Sequence, residues 1–123
     1  MKENIILDKS FHFSVRIINL YKYLCSEKNE YVMSKQLLRC GTSIGANANE
    51  AANGQSKKDF LAKMYIAFKE ASETEYWLKL LLHTGYLTQE QGENILSDCV
   101  EIKKILTAII KTLKLNAEGG KRK

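Results

Sequence analysis

The chain has 123 residues, of which 45% are hydrophobic, and its formal net charge is +5. This length suffices for one domain whose core needs neither a metal ion nor a disulfide. Proline is absent and glycines are few, so the composition favours an all-α chain over a sheet protein. No apolar run of about 18 residues and no signal-peptide pattern occur, so we expect a cytoplasmic protein that makes no use of a membrane.

The positive charge is spread thinly along the chain. Basic residues exceed acidic residues by one in each of the segments 1–30, 31–55 and 56–87, by none in 88–115 and by two in 116–123. Only the tail Lys121-Arg122-Lys123 is locally basic, and a short terminal charge run is usually a solvated end. Segment counts therefore indicate no dense patch for nucleic acid, although an oligomer would multiply the small excess.

Three cysteines, Cys25, Cys40 and Cys99, lie far apart in the sequence. Their odd number and the absence of a Cys-x-x-Cys motif indicate reduced thiols with a passive role in packing. We expect no disulfide to constrain the fold.

The first helix is predicted over about 9–28, after a loose lead-in at 1–8, with Asp8 or Ser10 as its cap. Its apolar residues form two adjacent stripes at helical spacing. The first stripe consists of Phe13, Ile17, Leu20 and Leu24, and the second of Phe11, Val15, Ile18 and Cys25. So broad an apolar arc is typical either of a helix that also contacts a neighbouring subunit or of a bundle position with two neighbours, and the pattern does not separate the two.

The second helix is predicted from an N-cap at Ser34 to about Asn53. One of its faces carries only small residues, namely Gly41, Gly45, Ala48 and Ala52. A glycine inside a helix costs about 1 kcal/mol relative to alanine, so we expect another helix to pack closely on this face.

Ser56 and Asp59, three residues apart, form a capping box that opens a third helix from about 57 to 82 or 83. Gly85 is placed as the αL residue that follows a helix. The main apolar stripe of this helix consists of Phe60, Met64, Phe68, Ala71, Leu78 and Leu82. A second stripe lies well round the helix and consists of Ile66, Glu70, Glu73 and Trp77. Two faces of the third helix therefore need partners.

Thr88 and Gln91 repeat the capping-box pattern and open the fourth helix. Its apolar residues recur at alternating steps of four and three, as in the a/d seam of a left-handed bundle: Ile95, Cys99, Ile102, Leu106, Ile109 and Leu113. Four helices joined by short loops predict an all-α, antiparallel up-down-up-down four-helix bundle over 1–115. We expect residues 116–123 to form a disordered basic tail.

A polar stripe occurs on the second helix, where residues that helix interiors rarely favour recur at helical spacing. It consists of Arg39, Ser43, Asn47 and Glu50, all within about 80° of one another around the helix. If the second and third helices form a hairpin, Arg39 lies level with Glu70 and within a turn of Glu73.

A solvated helix face is the simpler explanation of this polar stripe. Solvent faces usually carry Lys, Glu and Gln, however, and the facing stripe contains Trp77, which rarely lies in water alone. We therefore predict a polar interaction stripe, within or between subunits, formed by Arg39, Ser43, Asn47, Glu50, Glu70, Glu73 and Trp77.

The same part of the chain carries a resemblance to a known family. Read in order, the residues concerned are Arg39, Ser43-Ile44, Asn47, Glu50, Phe60, Ala67, Glu70, Glu73, Leu78 and Gly85-Tyr86. This pattern resembles the four-helix-bundle proteins encoded in intervening sequences of bacterial 23S ribosomal RNA genes, and the resemblance covers about residues 8–115. The segment 49–53 departs from it, because the family usually has Ala-Glu-Gly there, and this predicts a longer end for the second helix.

Proteins similar to this family include the accessory subunits of diversity-generating retroelements. Those subunits form ring-shaped pentamers and bind nucleic acid together with a reverse transcriptase. The resemblance therefore implies a homo-oligomer, with five as the expected number of subunits, and RNA, DNA or a nucleic-acid-handling protein as a partner. It implies a fold more directly than a molecular activity.

Patterns of catalysis and cofactor binding are missing from the sequence. Carboxylate metal sites in bundles use Glu-x-x-His pairs, which do not occur, and the two histidines, His12 and His83, are far apart. The segment 41–45 lacks the Gly-Lys-Ser/Thr of a phosphate loop, and no nucleophile can be paired with a base. We expect a protein that is not an enzyme and that uses neither a metal nor a cofactor.

Two functions remain open at this point. The first is an oligomeric adaptor that binds nucleic acid weakly and without sequence preference through basic surface summed over its subunits. The second is a structural, self-assembling scaffold whose partner is another protein. The sequence shows no aromatic-lined groove for stacked bases, so we expect no base-specific recognition.

Overall fold

The computed structural model describes the backbone of residues 2–121 and the side chains of 5–116. This part of the chain folds into four helices and contains no strand: α1 (Lys2–Lys28), α2 (Met33–Ala52), α3 (Lys57–His83) and α4 (Gln89–Lys121). Each helix packs on the next along the chain, and α4 packs on α1, so the predicted all-α four-helix bundle is confirmed. None of these helices combines the length and the apolar character that crossing a membrane requires.

The first helix begins earlier than predicted. The lead-in expected at 1–8 is helical from Lys2 onward, because Ile6 and Ser10 continue the buried face of Phe13 and Ile17 at steps of four and three. Neither Asp8 nor Ser10 is a cap, and the Ser10 hydroxyl donates to the Leu7 carbonyl oxygen at 3.3 Å inside the helix. Residue 1 lies outside the described residues.

The contact between α1 and α2 depends on the two mid-helix glycines of α2. A Cβ atom at Gly41 would lie 2.8 Å from the Ile17 side chain, and one at Gly45 would lie 3.3 Å from the Ser10 carbonyl oxygen. The predicted close packing on this face is confirmed for both glycines and for buried Ala48. Ala52 is exposed, however, because the helix turns Ala51 into the core instead.

The start of α2 is capped by a residue that lies before the helix. The Glu30 carboxylate accepts hydrogen bonds from the backbone N–H groups of Val32, Met33 and Ser34 at 3.2, 3.1 and 2.7 Å. Ser34 is therefore not the N-cap that the sequence predicted, since α2 starts one residue before it and Val32 holds the cap position. These bonds satisfy three of the N–H groups that every helix start leaves without a partner, which is why Glu30 is only 7% exposed.

The local signals at α3 and α4 are confirmed. At the start of α3 the Ser56 hydroxyl accepts from the Asp59 N–H at 3.1 Å, which is one of the two bonds of the predicted capping box, and Gly85 has a φ of +84° two residues after α3 ends. At the start of α4, the Thr88 hydroxyl accepts from the Gln91 N–H while the Gln91 side chain accepts from the Thr88 N–H. Both bonds of a capping box are therefore present.

The core fills the space between the four helices. The predicted seam of α4 is buried from Ile95 to Ile109, and Leu113 is partly buried. On α3 the buried residues are Met64, Ala67, Ala71, Thr74, Leu78 and Leu81. Three residues of the stripe predicted there, Phe60, Phe68 and Leu82, lie beside this seam and are only partly buried.

The fourth helix continues as helix to Lys121, whereas the sequence predicted a disordered tail from 116. Ala117 and Glu118 favour a helix, and no proline stops the chain there. Arg122 and Lys123 lie outside the described residues.

Candidate functional site

Part of the predicted polar stripe forms one connected network between α2 and α3. The Arg39 guanidinium contacts the Glu70 carboxylate at 3.2 Å and also pairs with the Glu73 carboxylate. The Trp77 indole N–H donates to the same Glu73 carboxylate at 3.1 Å. These contacts are the ones that the hairpin register predicts for Arg39.

The charges in this network stabilise one another. Hydrogen bonds from Arg39 and from Trp77 lower the pKa of Glu73, and the bond to Glu73 raises the pKa of Arg39. The side chain of Arg39 is 51% exposed and that of Glu73 is 35% exposed, so solvent screens the pair. The network is therefore a surface feature that joins two helices.

The other residues of the polar stripe do not take part in this network. The Ser43 hydroxyl donates to the Arg39 carbonyl oxygen at 2.6 Å, and the Asn47 side chain donates to the Ser43 carbonyl oxygen at 2.8 Å. Both bonds run back along α2 itself, while Glu50 pairs separately with Lys63 at 2.7 Å. The structure thus unites Arg39, Glu70, Glu73 and Trp77 but not Ser43, Asn47 and Glu50, and whether the stripe binds a partner stays a prediction.

Reactive groups are scarce in the described residues. No three His, Cys, Asp or Glu side chains among them are grouped so that they could hold a metal ion. Cys40 and Cys99 are buried, and burial raises the pKa of both thiols, that of Cys99 to about 12. These two thiols therefore stay protonated at neutral pH.

A basic groove lies between α3 and α4, and sequence reasoning did not find it. Two cavities of about 330 and 200 Å³ adjoin there, since both are lined by Phe68 and Thr107, and we call them together the α3/α4 groove. Its lining residues are Tyr65, Phe68, Glu75, Val100, Lys103, Lys104, Thr107, Ile110, Lys111 and Lys114. Four lysines and one glutamate give this groove a formal charge of +3.

The single carboxylate among these lining residues is already compensated. Glu75 pairs with Lys103 at 2.8 Å and with Lys79 at 3.2 Å. Both contacts lower the pKa of Glu75, and the hydrogen bond from Lys103 has the larger effect. Lys104 and Lys111 are exposed and form no salt bridge with the side chains that the structure describes. Their charges are therefore available to an anionic ligand.

Aromatic rings form part of the groove beneath these lysines. The Lys114 ammonium lies 5.1 Å from the centre of the Tyr65 ring, and the Lys103 ammonium lies 5.5 Å from that of Phe68. Lys114 and Tyr65 are both exposed, and an exposed cation–π contact contributes only about 0.5–1 kcal/mol, so a ligand can replace the one that Lys114 makes. An aromatic-lined groove is thus present, contrary to the expectation from the sequence.

The opposite flank of α4 is lined mainly by acids, and we call it the acidic flank. Between α1 and α4, a cavity of about 200 Å³ is lined by Asp8, Lys9, His12, Phe13, Asp98, Glu101 and Ile102. Three acids meet one lysine there. Lys9 pairs with Glu101 at 2.7 Å, and Arg16 pairs with Asp98 at 2.6 Å. Because the lysine of this lining is already paired, the flank offers a phosphate no free cation, whereas Lys104 and Lys111 of the α3/α4 groove form no salt bridge with described side chains.

An apolar stripe remains on the outer face of α1. Phe11 is 62% exposed, and Val15 and Ile18 are exposed on the same helix face at steps of four and three. The core of α1 is formed by Phe13, Ile17 and Leu24 on a different face. The bundle itself therefore uses only Cys25 of this second stripe, which lies 3.8 Å from the Ser34 hydroxyl of α2, and leaves the other three residues exposed.

Comparison with known proteins decides the family. The family profile of the 23S rRNA-intervening sequence protein matches residues 2–108. The chain belongs to this family. The resemblance carried by Arg39, Asn47, Glu50 and Glu73 is thereby confirmed, and the match ends before Lys111 and Lys114 of the groove.

A solved structure agrees with this assignment to the 23S rRNA-intervening sequence proteins. The chain is similar to a protein with unknown function from the S23 ribosomal protein family of Bacteroides thetaiotaomicron, with 59% sequence identity and a TM-score of 0.89. The similarity covers 90% of this chain and 99% of that one. A search of curated proteins gave no match.

Proposed function

We propose that this member of the 23S rRNA-intervening sequence proteins is a non-catalytic, homo-oligomeric adaptor that binds nucleic acid weakly and without sequence preference. The observation that supports nucleic-acid binding best is the α3/α4 groove with its charge of +3. Lysine ammonium groups bind phosphate as point charges and read no base, so either RNA or DNA can be the ligand. A nucleic-acid-handling protein is the further partner that we propose for such an adaptor in the cytoplasm.

Self-association is proposed from the apolar stripe of α1. A large side chain that is exposed in the monomer, such as Phe11, favours contact with another subunit when two further apolar residues lie beside it. The number of five subunits comes from the resemblance alone. Five chains of +5 would together carry about +25, which strengthens attraction to phosphates beyond what one groove provides.

The second candidate function is a self-assembling protein scaffold that binds no nucleic acid. The α1 stripe favours self-assembly whatever the groove does, and the lysine that lines the acidic flank of α4 is already paired with Glu101 and so is not free for a phosphate. In that case the positive charge would serve solubility only.

Nucleic-acid binding is tested with a variant that lacks two lysines of the groove and with a control variant that lacks two lysines outside it. Lys104→Gln with Lys111→Gln and the control Lys28→Gln with Lys35→Gln both lower the net charge from +5 to +3, and all four lysines are exposed. Lys28 and Lys35 lie on α1 and α2, outside the groove. Binding of fluorescent single-stranded and duplex oligonucleotides would be measured by anisotropy over a range of salt concentrations.

We expect the unaltered protein to lose affinity with salt, with a slope of log K against log salt of about −2 for three lysine contacts to a single strand. The groove pair should weaken binding about tenfold at low salt and flatten the slope, while the control pair should stay close to the unaltered protein. Absence of binding at low salt, or binding that salt does not change, would leave the scaffold as the better account.

Oligomerisation is tested separately by light scattering. Phe11→Asp should dissociate the oligomer and leave the helical fold intact, because Phe11 is not part of the core. A monomer at micromolar concentration for the unaltered protein would remove the oligomer from the proposal. Protein capture that nuclease treatment does not change would support the scaffold.

A further inference from the structure

The α3/α4 groove has a feature that phosphate binding alone does not require. Tyr65 is 41% exposed and lines the groove, and the group over its ring is the Lys114 ammonium, 5.1 Å from the ring centre. Phe68 lies beside it and lines both cavities. The groove therefore combines an aromatic surface with a basic rim.

The two parts of the groove fit different parts of a nucleotide. An aromatic ring offers its face to a base, and the lysines offer their charge to the phosphates. In a duplex both faces of each base are stacked on neighbours, so only an unpaired base can lie on Tyr65. We infer that the groove binds single-stranded nucleic acid, with a base stacked on Tyr65 beside Phe68 and phosphates on Lys104, Lys111 and Lys114. This inference rests on the proposed function and names its ligand class.

The spacing of the lysines agrees with a short site. Lys104 and Lys114 are ten residues apart on one helix, which corresponds to about 15 Å along its axis and to a few nucleotides. The rise per residue places Lys111 between them, towards Lys114. A strand lying along α4 would thus meet three positive charges in succession.

The charges of Lys114 and Glu75, which lie next to the proposed site, do not prevent a single strand from binding there. The Lys114 ammonium can move from the Tyr65 ring to a phosphate when a base takes its place, because the side chain is exposed and flexible. The Glu75 carboxylate is held by Lys103 and Lys79 on the α3 side of the groove. Stacking and phosphate contacts are common to RNA and DNA, so we expect both to bind with similar affinity.

The experiment uses a short single-stranded oligonucleotide that carries one 2-aminopurine, prepared as RNA and as DNA, and its duplex with a complementary strand. Stacking on an aromatic ring quenches the fluorescence of 2-aminopurine. The variants are Tyr65→Leu, Tyr65→Phe and the control Tyr31→Leu, since Tyr31 is 56% exposed at the connection between α1 and α2. Circular dichroism confirms that each variant keeps its helices.

We expect the unaltered protein to bind the single strand more tightly than the duplex and to quench the probe. Tyr65→Leu should weaken single-strand binding about five- to a hundred-fold and abolish the quenching, as the loss of one stacked base predicts. Tyr65→Phe and Tyr31→Leu should both behave like the unaltered protein. The phosphate contacts should keep duplex binding the same in all of them.

Two other results separate this inference from the proposed function. If Tyr65→Leu binds single strands as tightly as the unaltered protein while the variant with Lys104→Gln and Lys111→Gln loses binding, the groove binds phosphate only and the stacking is wrong. If the unaltered protein binds neither single strands nor duplex, the proposed nucleic-acid function fails as well.

Discussion

The two halves of α4 carry opposite charge, although the helix is balanced over 89–115. Within 89–115 the acids come first and the lysines follow: Glu90, Glu93, Asp98 and Glu101, then Lys103, Lys104, Lys111 and Lys114. Asp98 and Glu101 face α1, where Arg16 and Lys9 bind them, whereas the four lysines line the α3/α4 groove. One helix thus presents an acidic flank to one neighbour and a basic flank to another.

The helix dipole does not account for this separation of charge. The dipole favours acids in the first turn and lysines in the last turn, and its effect falls off within that turn. Glu101 and Lys103 lie near the middle of a helix of 33 residues, where the dipole is without influence. A helix whose net charge is near zero can therefore still carry a charged surface on each side.

The largest effect is expected at the buried seam that keeps the two flanks apart. Ile102 is almost fully buried, so Ile102→Asp places an unpaired carboxylate in the core. We expect a loss of more than about 4 kcal/mol in the free energy of unfolding, with unfolding or dissociation, as seen by circular dichroism during heating. Lys104→Asp introduces the same residue at an exposed position of α4 and should leave the melting temperature almost unchanged. Normal melting of Ile102→Asp would contradict the assigned core.

An intermediate effect is expected when one acid is neutralised on either flank. Glu75→Gln and Glu101→Gln each raise the net charge from +5 to +6. Glu75→Gln should strengthen nucleic-acid binding several-fold, because it releases Lys103 and Lys79 to bind phosphate, and it should make the salt dependence steeper. Glu101→Gln should change binding little, since it releases Lys9 on the acidic flank. Equal strengthening by both would show that overall charge decides, and the comparison of flanks would then be wrong.

The smallest effect is expected for the ion pair between Arg39 of α2 and Glu73 of α3, which joins two helices as the pairs on the acidic flank do. A double-mutant cycle of Arg39→Ala and Glu73→Ala should give a coupling of about 0.5–1 kcal/mol, because both side chains are partly exposed and solvent screens them. A fully desolvated pair would instead lose about 3–5 kcal/mol when one partner is removed. Chemical unfolding measures the coupling, and the cycle is repeated with Glu70→Ala in place of Glu73→Ala. Coupling near zero in both cycles would mean that the polar stripe is simply a solvated helix face.

The same pair predicts a pH dependence of stability. The pKa of Glu73 is lowered from its ordinary value of 4.5, first by the hydrogen bond from Arg39. Its contribution to stability is therefore complete above about pH 4.5 and is lost as the pH falls through the lower pKa of the folded state. Arg39→Ala should be less sensitive to acid in this range than the unaltered protein, which unfolding curves at several pH values would show.

Sequence reasoning succeeded where neighbouring residues decide the structure. The caps at Ser56 and Thr88 and the αL residue Gly85 each depend on groups within a few positions of one another, so their pattern is complete in the sequence. The pairing of Arg39 with Glu70 and Glu73 could be predicted as well, because a tight hairpin fixes the register of α2 against α3.

The failures have physical causes of their own. Ile6 was left out of the first helix because its apolar neighbours Ile5 and Leu7 hide the helical period near the chain start. Glu30 caps α2 from outside the helix, at a position that the usual N-cap pattern does not include. The α3/α4 groove depends on which faces of two helices meet and on their register. A count of charges by segment contains neither kind of information.

The burial of two of the three thiols leaves Cys25 as the site for specific chemical labelling. A thiol reacts as its thiolate, and burial in the core keeps Cys40 and Cys99 protonated, whereas Cys25 is only half-buried on α1, 3.8 Å from the Ser34 hydroxyl. A maleimide dye should therefore label the native protein once, at the end of α1, without any cysteine having been added or removed. Energy transfer between donor and acceptor dyes on mixed chains would then test the proposed homo-oligomer while the lysines and aromatic rings of the groove stay unmodified.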